Sequence, residues 1–148
     1  MEQIRFTEQI NLDDYRSMRT RIGWVGVSER QAQIGLANSA HQISALNESG
    51  QTVGFGRIVS DGGFFVLIAD VIVLPEYQGR GIGREILNRL LSYVKSTIQP
   101  GETVSISLMA AKDKEAFYEK FGFIRRPNEE RGAGMSLWLT KNEAGEIE

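Results

Sequence analysis

An apolar, strand-like run leads through a proline turn into a glycine-rich sequence, and this junction limits the possible folds more than any other segment. It reads Val71-Ile72-Val73-Leu74-Pro75-Glu76-Tyr77 and then Gln78-Gly79-Arg80-Gly81-Ile82-Gly83-Arg84. Glycines let backbone N–H groups turn toward a ligand and approach it closely, and the amino end of a helix favours an anion. The segment therefore predicts a strand, an anion-binding turn and a helix, with Arg80 and Arg84 available to add positive charge.

Two common phosphate-binding motifs do not fit this glycine sequence. A dinucleotide-binding G-x-G-x-x-G that begins at Gly79 needs a glycine where Arg84 stands, and it belongs near the start of a doubly wound fold. A Walker A loop needs a lysine followed by serine or threonine after its last glycine, whereas Gly83 is followed by Arg84 and Glu85. The sequence therefore excludes a nicotinamide dinucleotide site and a P-loop nucleotide hydrolase.

Length and composition favour one domain, over residues 1–141, followed by an acidic tail over residues 142–148. The 148 residues are 41% hydrophobic, enough for a core without disulfides or metals. A net charge of −2 argues against a nucleic-acid partner. The absence of cysteine excludes an acyl-cysteine intermediate and a thiolate metal site, and it fits a cytoplasmic location. No stretch approaches the roughly 20 apolar residues of a membrane span, so we expect no membrane partner.

The hydrophobic pattern predicts an α+β fold around a mostly antiparallel sheet. Strands alternate apolar and polar residues, whereas helices repeat apolar residues every three or four positions. One strand, one helix and another strand, spanning residues 66–108, form a crossover connection. The predicted strands are residues 4–6, 41–46, 52–60, 64–74, 104–108, 123–124 and 135–139, and the predicted helices are residues 12–22, 28–38, 82–98 and 112–121.

Two motifs resemble those of the GCN5-related N-acetyltransferase (GNAT) superfamily. The pattern Gln78-x-x-Gly81-x-Gly83 after Val-Leu-Pro resembles its acetyl-coenzyme A signature, and Ala116-Phe117-Tyr118-Glu119-Lys120-Phe121-Gly122-Phe123 resembles its late motif. Within the superfamily, Val53-Gly54-Phe55-Gly56-Arg57, Asp70-Val71 and Gly132-x-Gly134-Met135 are similar to a bacterial branch that resembles plant serotonin-type arylalkylamine acetyltransferases. The resemblance implies a mixed sheet that is splayed at the cofactor strand and carries helices on both faces.

The resemblance also implies roles for particular residues. Acetyl-coenzyme A would be a co-substrate, and no metal is implied. Tyr118 would be the general acid that protonates the departing thiolate, a role that suits a phenol with a pKa near 10. The alternative is that Tyr118 is only a core residue among aromatic neighbours. The backbone of Val71, Ile72 and Val73 would bind the pantetheine arm, and Gln78, Gly79, Arg80, Gly81, Ile82, Gly83 and Arg84 would surround the pyrophosphate.

The general base is not evident from the sequence. Many members of the superfamily place glutamate or histidine at positions that correspond to Leu67 and Ala69, and neither of these side chains accepts a proton. Asp70 is the nearest carboxylate, but strict alternation points it away from their face unless a β-bulge shifts the pattern. The resemblance implies such a bulge. Asp70 is therefore a candidate catalytic base, acting through water, and equally a candidate buried structural carboxylate. If a chain of water molecules accepts the proton, or if the amine binds already neutral, the reaction needs no side chain as a base.

The acceptor is less defined than the coenzyme. Trp24, between the first two predicted helices, would lie over the acetyl site by resemblance and could pack an amine's apolar body, or it could simply anchor the helix break. The prediction is direct acetyl transfer to a small primary amine in a ternary complex. The alternatives are a catalytically weak coenzyme-A-binding sensor and an acyltransferase that acts on a protein amine. The oligomeric state is left open, with a homodimer as one alternative.

Overall fold

The computed structural model describes residues 2–148 and divides into two compact units, the first ending at Leu108 and the second comprising Met109–Glu148. The first unit contains a five-stranded sheet and three α-helices, and the second contains one short α-helix. The strands are β1 (Arg5–Thr7), β2 (His41–Leu46), β3 (Thr52–Ser60), β4 (Phe65–Val73) and β5 (Ser105–Leu108), and the helices are α1 (Leu12–Arg21), α2 (Glu29–Ala37), α3 (Ile82–Thr97) and α4 (Glu115–Glu119).

The sheet follows the chain order β1-β2-β3-β4-β5. The first four strands pair antiparallel, and β5 pairs parallel to β4. A parallel neighbour requires a crossover connection, and α3 provides it between β4 and β5. The predicted α+β class, the antiparallel meander and the crossover are therefore confirmed.

Helix α3 lies unusually close to the sheet because β3 contains two glycines beneath it. A β carbon at Gly54 would come within 2.9 Å of Ile82 Cγ2, and one at Gly56 within 2.9 Å of Ile86 Cγ2. Real β carbons do not approach neighbours so closely, so a larger residue would push the helix outward. These glycines therefore help to fix the amino end of α3, where the glycine-rich sequence meets the helix.

Helices α1 and α2 pack on the opposite face of the sheet. Tyr15 of α1 contacts Phe55 of β3 edge to face, with ring centroids 5.5 Å apart. Arg57 of β3 donates a hydrogen bond to the Gly35 carbonyl of α2 at 3.2 Å. Ser28 and the residue three positions later form a reciprocal capping box at the start of α2, where the hydrophobic pattern predicts the helix to begin. Helices therefore cover both faces of the sheet.

The second unit departs most from the sequence prediction. The predicted strands at residues 123–124 and 135–139 are absent, which corrects both predictions. A strand forms only when its backbone pairs with another strand, and an alternating sequence pattern does not provide that partner. Helix α4 is shorter than the predicted 112–121, because Asp113 adopts a φ of 67° that an α-helix does not accommodate.

Residues 2–148 contain no helix that is long and apolar enough to cross a membrane. Over the same residues, no group of three or more histidine, cysteine, aspartate and glutamate side chains is arranged to hold a metal ion.

Candidate active site

Strand β4 contains a bulge at Asp70. Phe55 pairs with Ile72 and Arg57 pairs with Ala69, so β4 has one more residue than β3 between these two pairs. Asp70 has a φ of 56°, in the left-handed region that aspartate tolerates better than most residues. The bulge implied by the family resemblance is therefore confirmed.

The bulge changes the face to which Asp70 points. A β carbon at Gly56 would face α3 and would lie 3.5 Å from Val71 Cγ2, so Val71 lies on the α3 side of the sheet. Ala69 lies on the other side, because it is directly opposite Arg57, whose side chain reaches α2. Asp70 contacts α1 and Arg57, and it therefore shares the face of Ala69.

The bulge is followed by a stretch of β4 whose outer edge is open within the first unit. Strand β5 pairs with β4 only as far as Ile68. The Leu74 N–H donates to a β3 carbonyl at 2.9 Å, and backbone groups in an antiparallel pair face their partner at every second residue. The backbone of Ile72 therefore faces β3. Of the three residues expected to bind the pantetheine arm, Val71 and Val73 direct their N–H groups to the open edge.

The glycine-rich sequence forms a turn that ends in the first turn of α3. After a 3-10 turn at Pro75–Tyr77, the Gln78 side-chain amide donates to the carbonyl at the end of β4 at 3.0 Å. Gly79 and Gly81 then adopt left-handed φ values of 78° and 81°. Gly81 is the N-cap of α3, and no side chain caps the helix there. The first N–H groups of a 16-residue helix are thus available to an anion.

Charged side chains surround this turn. The Arg80 guanidinium lies 4.7 Å from the centroid of the Tyr77 ring and donates to the Glu76 carbonyl at 3.2 Å. Arg84 is exposed on the first turn of α3, whereas the side chain of Ile82 is buried beneath it. Free amides, open space at the glycine cap and two arginines fit a pyrophosphate group, as the sequence predicts.

Asp70 is the centre of a buried polar cluster. One carboxylate oxygen accepts hydrogen bonds from the Tyr15 hydroxyl at 2.6 Å and from Arg57 Nε at 2.7 Å, and the other accepts one from Arg19 Nη1 at 2.7 Å. The side chains of Asp70, Arg19 and Arg57 are 10–16% exposed. Burial and the bond to Asp70 raise the pKa of Tyr15. A proton taken up by Asp70 would compete with all three bonds, so this geometry favours the structural role over the role of base.

Trp24 joins the same cluster through Arg19. The Arg19 guanidinium lies 5.5 Å from the Trp24 ring centroid. The backbone N–H of Trp24 donates a hydrogen bond to the backbone carbonyl of Arg19 at 2.9 Å. The structure therefore links Trp24 to Asp70 through the Arg19 side chain. The sequence pattern alone assigns neither Tyr15 nor the two arginines to a site. A usable signal was present, since Arg19 occupies the otherwise apolar stripe of α1.

Tyr118 belongs to the second unit, on α4. It is 8% exposed, and its ring packs edge to face against Phe117 and Phe123, with centroids 5.1 and 6.1 Å away. Burial raises the pKa of the Tyr118 phenol. The hydroxyl therefore remains protonated throughout the neutral range, which is what a proton donor requires.

Replacing Asp70 with asparagine is expected to destabilise the protein by about 3 kcal/mol, because two buried guanidinium groups lose their counter-charge. Asparagine also tolerates the left-handed backbone, so backbone strain changes little. Glu76→Gln is the matched control: it breaks an Arg21–Glu76 pair of the same 2.7 Å length whose side chains are 44% and 48% exposed. Its effect on stability should be much smaller, because water solvates and screens both charges.

Urea unfolding measures both free energies, and a pH–rate profile of Asp70→Asn separates the two roles. A structural Asp70 gives a lower unfolding free energy and a profile of unchanged shape. Unchanged stability together with lower turnover near neutral pH, partly restored at higher pH, would contradict the structural role and identify a base.

Comparison with known proteins agrees with this architecture. The family model described as an acetyltransferase (GNAT) domain matches residues 19–139. An uncharacterized N-acetyltransferase of Pyropia yezoensis is 33% identical over 128 residues, which cover 84% of this chain and 71% of that protein. A chloroplastic serotonin N-acetyltransferase of Oryza sativa subsp. japonica is 37% identical over 127 residues, which cover 83% of this chain and 60% of that protein.

Solved structures show the same fold. The crystal structure of a probable acetyltransferase from meticillin-resistant Staphylococcus aureus superposes with a TM-score of 0.81 and 30% sequence identity, and it covers 92% of this chain and 99% of that one. The bulged strand, the uncapped glycine turn and these relatives all lead to one assignment. The chain belongs to the GNAT family and is an N-acetyltransferase.

Proposed function

We propose that the enzyme transfers the acetyl group of acetyl-coenzyme A directly to the primary amine of a small, preferably aromatic, molecule. The observation that carries this proposal is the pairing of the open β4 edge with the uncapped amino end of α3. The edge offers the N–H groups of Val71 and Val73 to the pantetheine arm, and the glycine turn offers amides to the pyrophosphate. The thioester would then lie along β4, near the bulge at Asp70.

The reaction needs one bond formed, one bond broken and two proton movements. The neutral amine nitrogen attacks the thioester carbonyl, forms the C–N bond and expels the coenzyme A thiolate as the C–S bond breaks. A backbone N–H of the Val71–Val73 segment polarises the carbonyl oxygen, as in an oxyanion hole. The nitrogen loses a proton to water, and Tyr118 donates a proton to the thiolate.

The cluster around Asp70 bears on how the amine becomes neutral. It contains two guanidinium groups and one carboxylate, so it carries an excess positive charge. An ammonium held against Trp24 would be repelled by this charge, whereas a neutral amine would not. The site would therefore select the neutral amine, and no dedicated carboxylate is then needed as a base. This agrees with the aliphatic side chains of Leu67 and Ala69.

An aromatic acceptor is supported by Trp24 and by one relative. The half-buried indole provides an apolar surface next to the cluster. A relative that is 37% identical over 127 residues carries serotonin, an aromatic amine, in its name. These two observations favour an arylalkylamine over an aliphatic amine or a lysine side chain.

The proposal is tested by following thiol release from acetyl-coenzyme A with three acceptors: an arylalkylamine, an aliphatic amine of similar length and a lysine-containing peptide. We expect the highest kcat/KM for the arylalkylamine. Release with the peptide alone would instead identify a protein acetyltransferase. Binding of acetyl-coenzyme A without release by any amine would identify a coenzyme sensor.

Replacing Trp24 with alanine is expected to raise the KM for the arylalkylamine about tenfold, equivalent to about 1.4 kcal/mol, and to leave the KM for acetyl-coenzyme A unchanged. Trp24→Phe retains an aromatic surface and should restore most of the affinity. Steady-state kinetics of both variants measure this. Equal rises in both KM values would show that Trp24 only anchors the helix break.

A further inference from the structure

Tyr77, the last residue of the 3-10 turn before the glycine-rich sequence, is held by two other segments of the first unit. The Asn47 side-chain amide donates a hydrogen bond to the Tyr77 hydroxyl at 3.0 Å, and this hydroxyl donates to Glu2 Oε1 at 2.9 Å. The backbone N–H of Tyr77 donates to the Leu74 carbonyl at 2.8 Å. The half-buried tyrosine is therefore fixed both at its backbone and at the tip of its ring.

The direction of these hydrogen bonds follows from Asn47. Its Oδ1 accepts from the backbone N–H groups of Ser49 at 3.1 Å and Gln51 at 2.9 Å, and backbone nitrogens can only donate. The Nδ2 group must therefore face Tyr77. Because the phenol accepts a hydrogen bond there, its single proton goes to the Glu2 carboxylate. Asn47 is 8% exposed, so water competes little with this arrangement and the Tyr77 ring keeps one orientation.

The fixed ring supports the side chain of Arg80. The Arg80 guanidinium lies over the Tyr77 ring, 4.7 Å from its centroid, and Nη2 donates to the Glu76 carbonyl at 3.2 Å. A guanidinium is planar, so it can rest on an aromatic ring while N–H groups along its edge remain able to donate to an anion. Arg80 directly precedes Gly81, the N-cap of α3 that no side chain caps. A held positive charge thus lies next to the free amides of the helix.

We propose that Tyr77 is a positioning residue for coenzyme binding, which holds the Arg80 guanidinium in place to donate to a coenzyme phosphate. An unrestrained arginine loses rotamer freedom when it binds an anion, and a side chain that is already held avoids much of this cost. Tyr77 acts through Arg80 and takes no part in acetyl transfer. The inference rests on the proposed place of the pyrophosphate at this turn, and it predicts an effect on affinity.

Titration calorimetry with acetyl-coenzyme A is the first test. Tyr77→Leu removes the ring and should raise the Kd about tenfold, whereas Tyr77→Phe keeps the ring and should stay within about threefold of wild type. Tyr93→Leu is the matched control, because it removes another half-buried ring, which stacks on His41, and should leave the Kd unchanged. Unchanged or tighter binding in Tyr77→Leu would overturn the inference. A wild type that does not bind acetyl-coenzyme A would contradict the proposed function itself, and this inference with it.

A double-mutant cycle distinguishes positioning of Arg80 from simple support of the turn. If Tyr77 acts through Arg80, the variant that combines Tyr77→Leu with Arg80→Ala should bind no more weakly than Arg80→Ala alone, because the ring has no guanidinium left to hold. If Tyr77 only supports the backbone of the turn, the two changes raise the Kd independently and their factors multiply. Independent effects would therefore overturn the inference.

Salt provides a readout that a structural role would not move. The ratio of the Tyr77→Leu Kd to the wild-type Kd should fall toward one between about 0.05 M and about 1 M salt, because ions screen the attraction between Arg80 and a phosphate. A ratio that salt leaves unchanged would contradict the role of Arg80.

Arg80→Lys tests the same contact with the tyrosine intact, so it decides the question even if Tyr77→Leu does not fold. Lysine keeps the positive charge but lacks the flat guanidinium that lies over the ring, and it should raise the Kd for acetyl-coenzyme A several-fold. Wild-type affinity in Arg80→Lys would show that charge alone is sufficient and would overturn the inference.

Discussion

Replacing Gly81 with aspartate is expected to raise the Kd for acetyl-coenzyme A at least about a hundredfold, equivalent to about 2.7 kcal/mol. Gly81 is the N-cap of α3, and no side chain occupies the amides of the first turn. An aspartate carboxylate at an N-cap accepts hydrogen bonds from those N–H groups. It also places a negative charge where the pyrophosphate is expected. Titration calorimetry on the folded variant measures the effect.

Two control variants separate this competition from simple backbone strain. Gly62 has a φ of 86°, close to the 81° of Gly81, and a β carbon at either position meets no atom within 4 Å. Gly62→Asp should therefore show a comparable loss of stability and normal coenzyme binding. Gly81→Asn keeps the size of the side chain without its charge and should bind better than Gly81→Asp. Wild-type affinity in Gly81→Asp would remove the reason for placing the pyrophosphate at this turn.

Replacing Tyr118 with phenylalanine is expected to lower turnover by about 10²- to 10⁴-fold, the usual effect of losing a positioned general acid. The ring would still pack against Phe117 and Phe123, so the melting temperature and the affinity for acetyl-coenzyme A should change little. Tyr93→Phe removes a hydroxyl from α3, where the ring stacks on His41, and should retain full turnover. Stopped-flow thiol release compares the two variants.

The pH dependence gives the same prediction a second readout. Burial raises the pKa of Tyr118, so the wild-type phenol loses its proton only above its ordinary value of about 10. Loss of the acid should therefore lower wild-type turnover only in that alkaline range. The Tyr118→Phe variant should lack this alkaline fall. Unaltered turnover in the variant would show that Tyr118 is a core residue only.

Much of the first unit could be predicted from local pattern. The stripe of apolar residues in α3, the Ser28 cap and the turns of the meander each depend on residues close together in the chain. The glycine turn could also be predicted from the sequence, because left-handed conformations at Gly79 and Gly81 are a local property of glycine. Local signals of this kind correctly place the glycine turn at the amino end of α3.

The features that could not be predicted depend on distant partners. Alternation alone points Asp70 to the wrong face, and only pairing with β3 reveals the extra residue in β4. The arginines at positions 19 and 57 are 38 residues apart by difference of their numbers, and folding brings both to one carboxylate. Residues 135–139 have the pattern of a strand, but pairing requires an edge that their own sequence does not supply.

The measurement that tests the central claim most directly is the simultaneous quantification of free coenzyme A and N-acetylated amine during turnover with an arylalkylamine. Direct transfer predicts equal amounts of the two products from the first turnover, and release of coenzyme A only when the amine is present. Tight binding of acetyl-coenzyme A without an acetylated product from any amine, or coenzyme A release that does not depend on the amine, would contradict it.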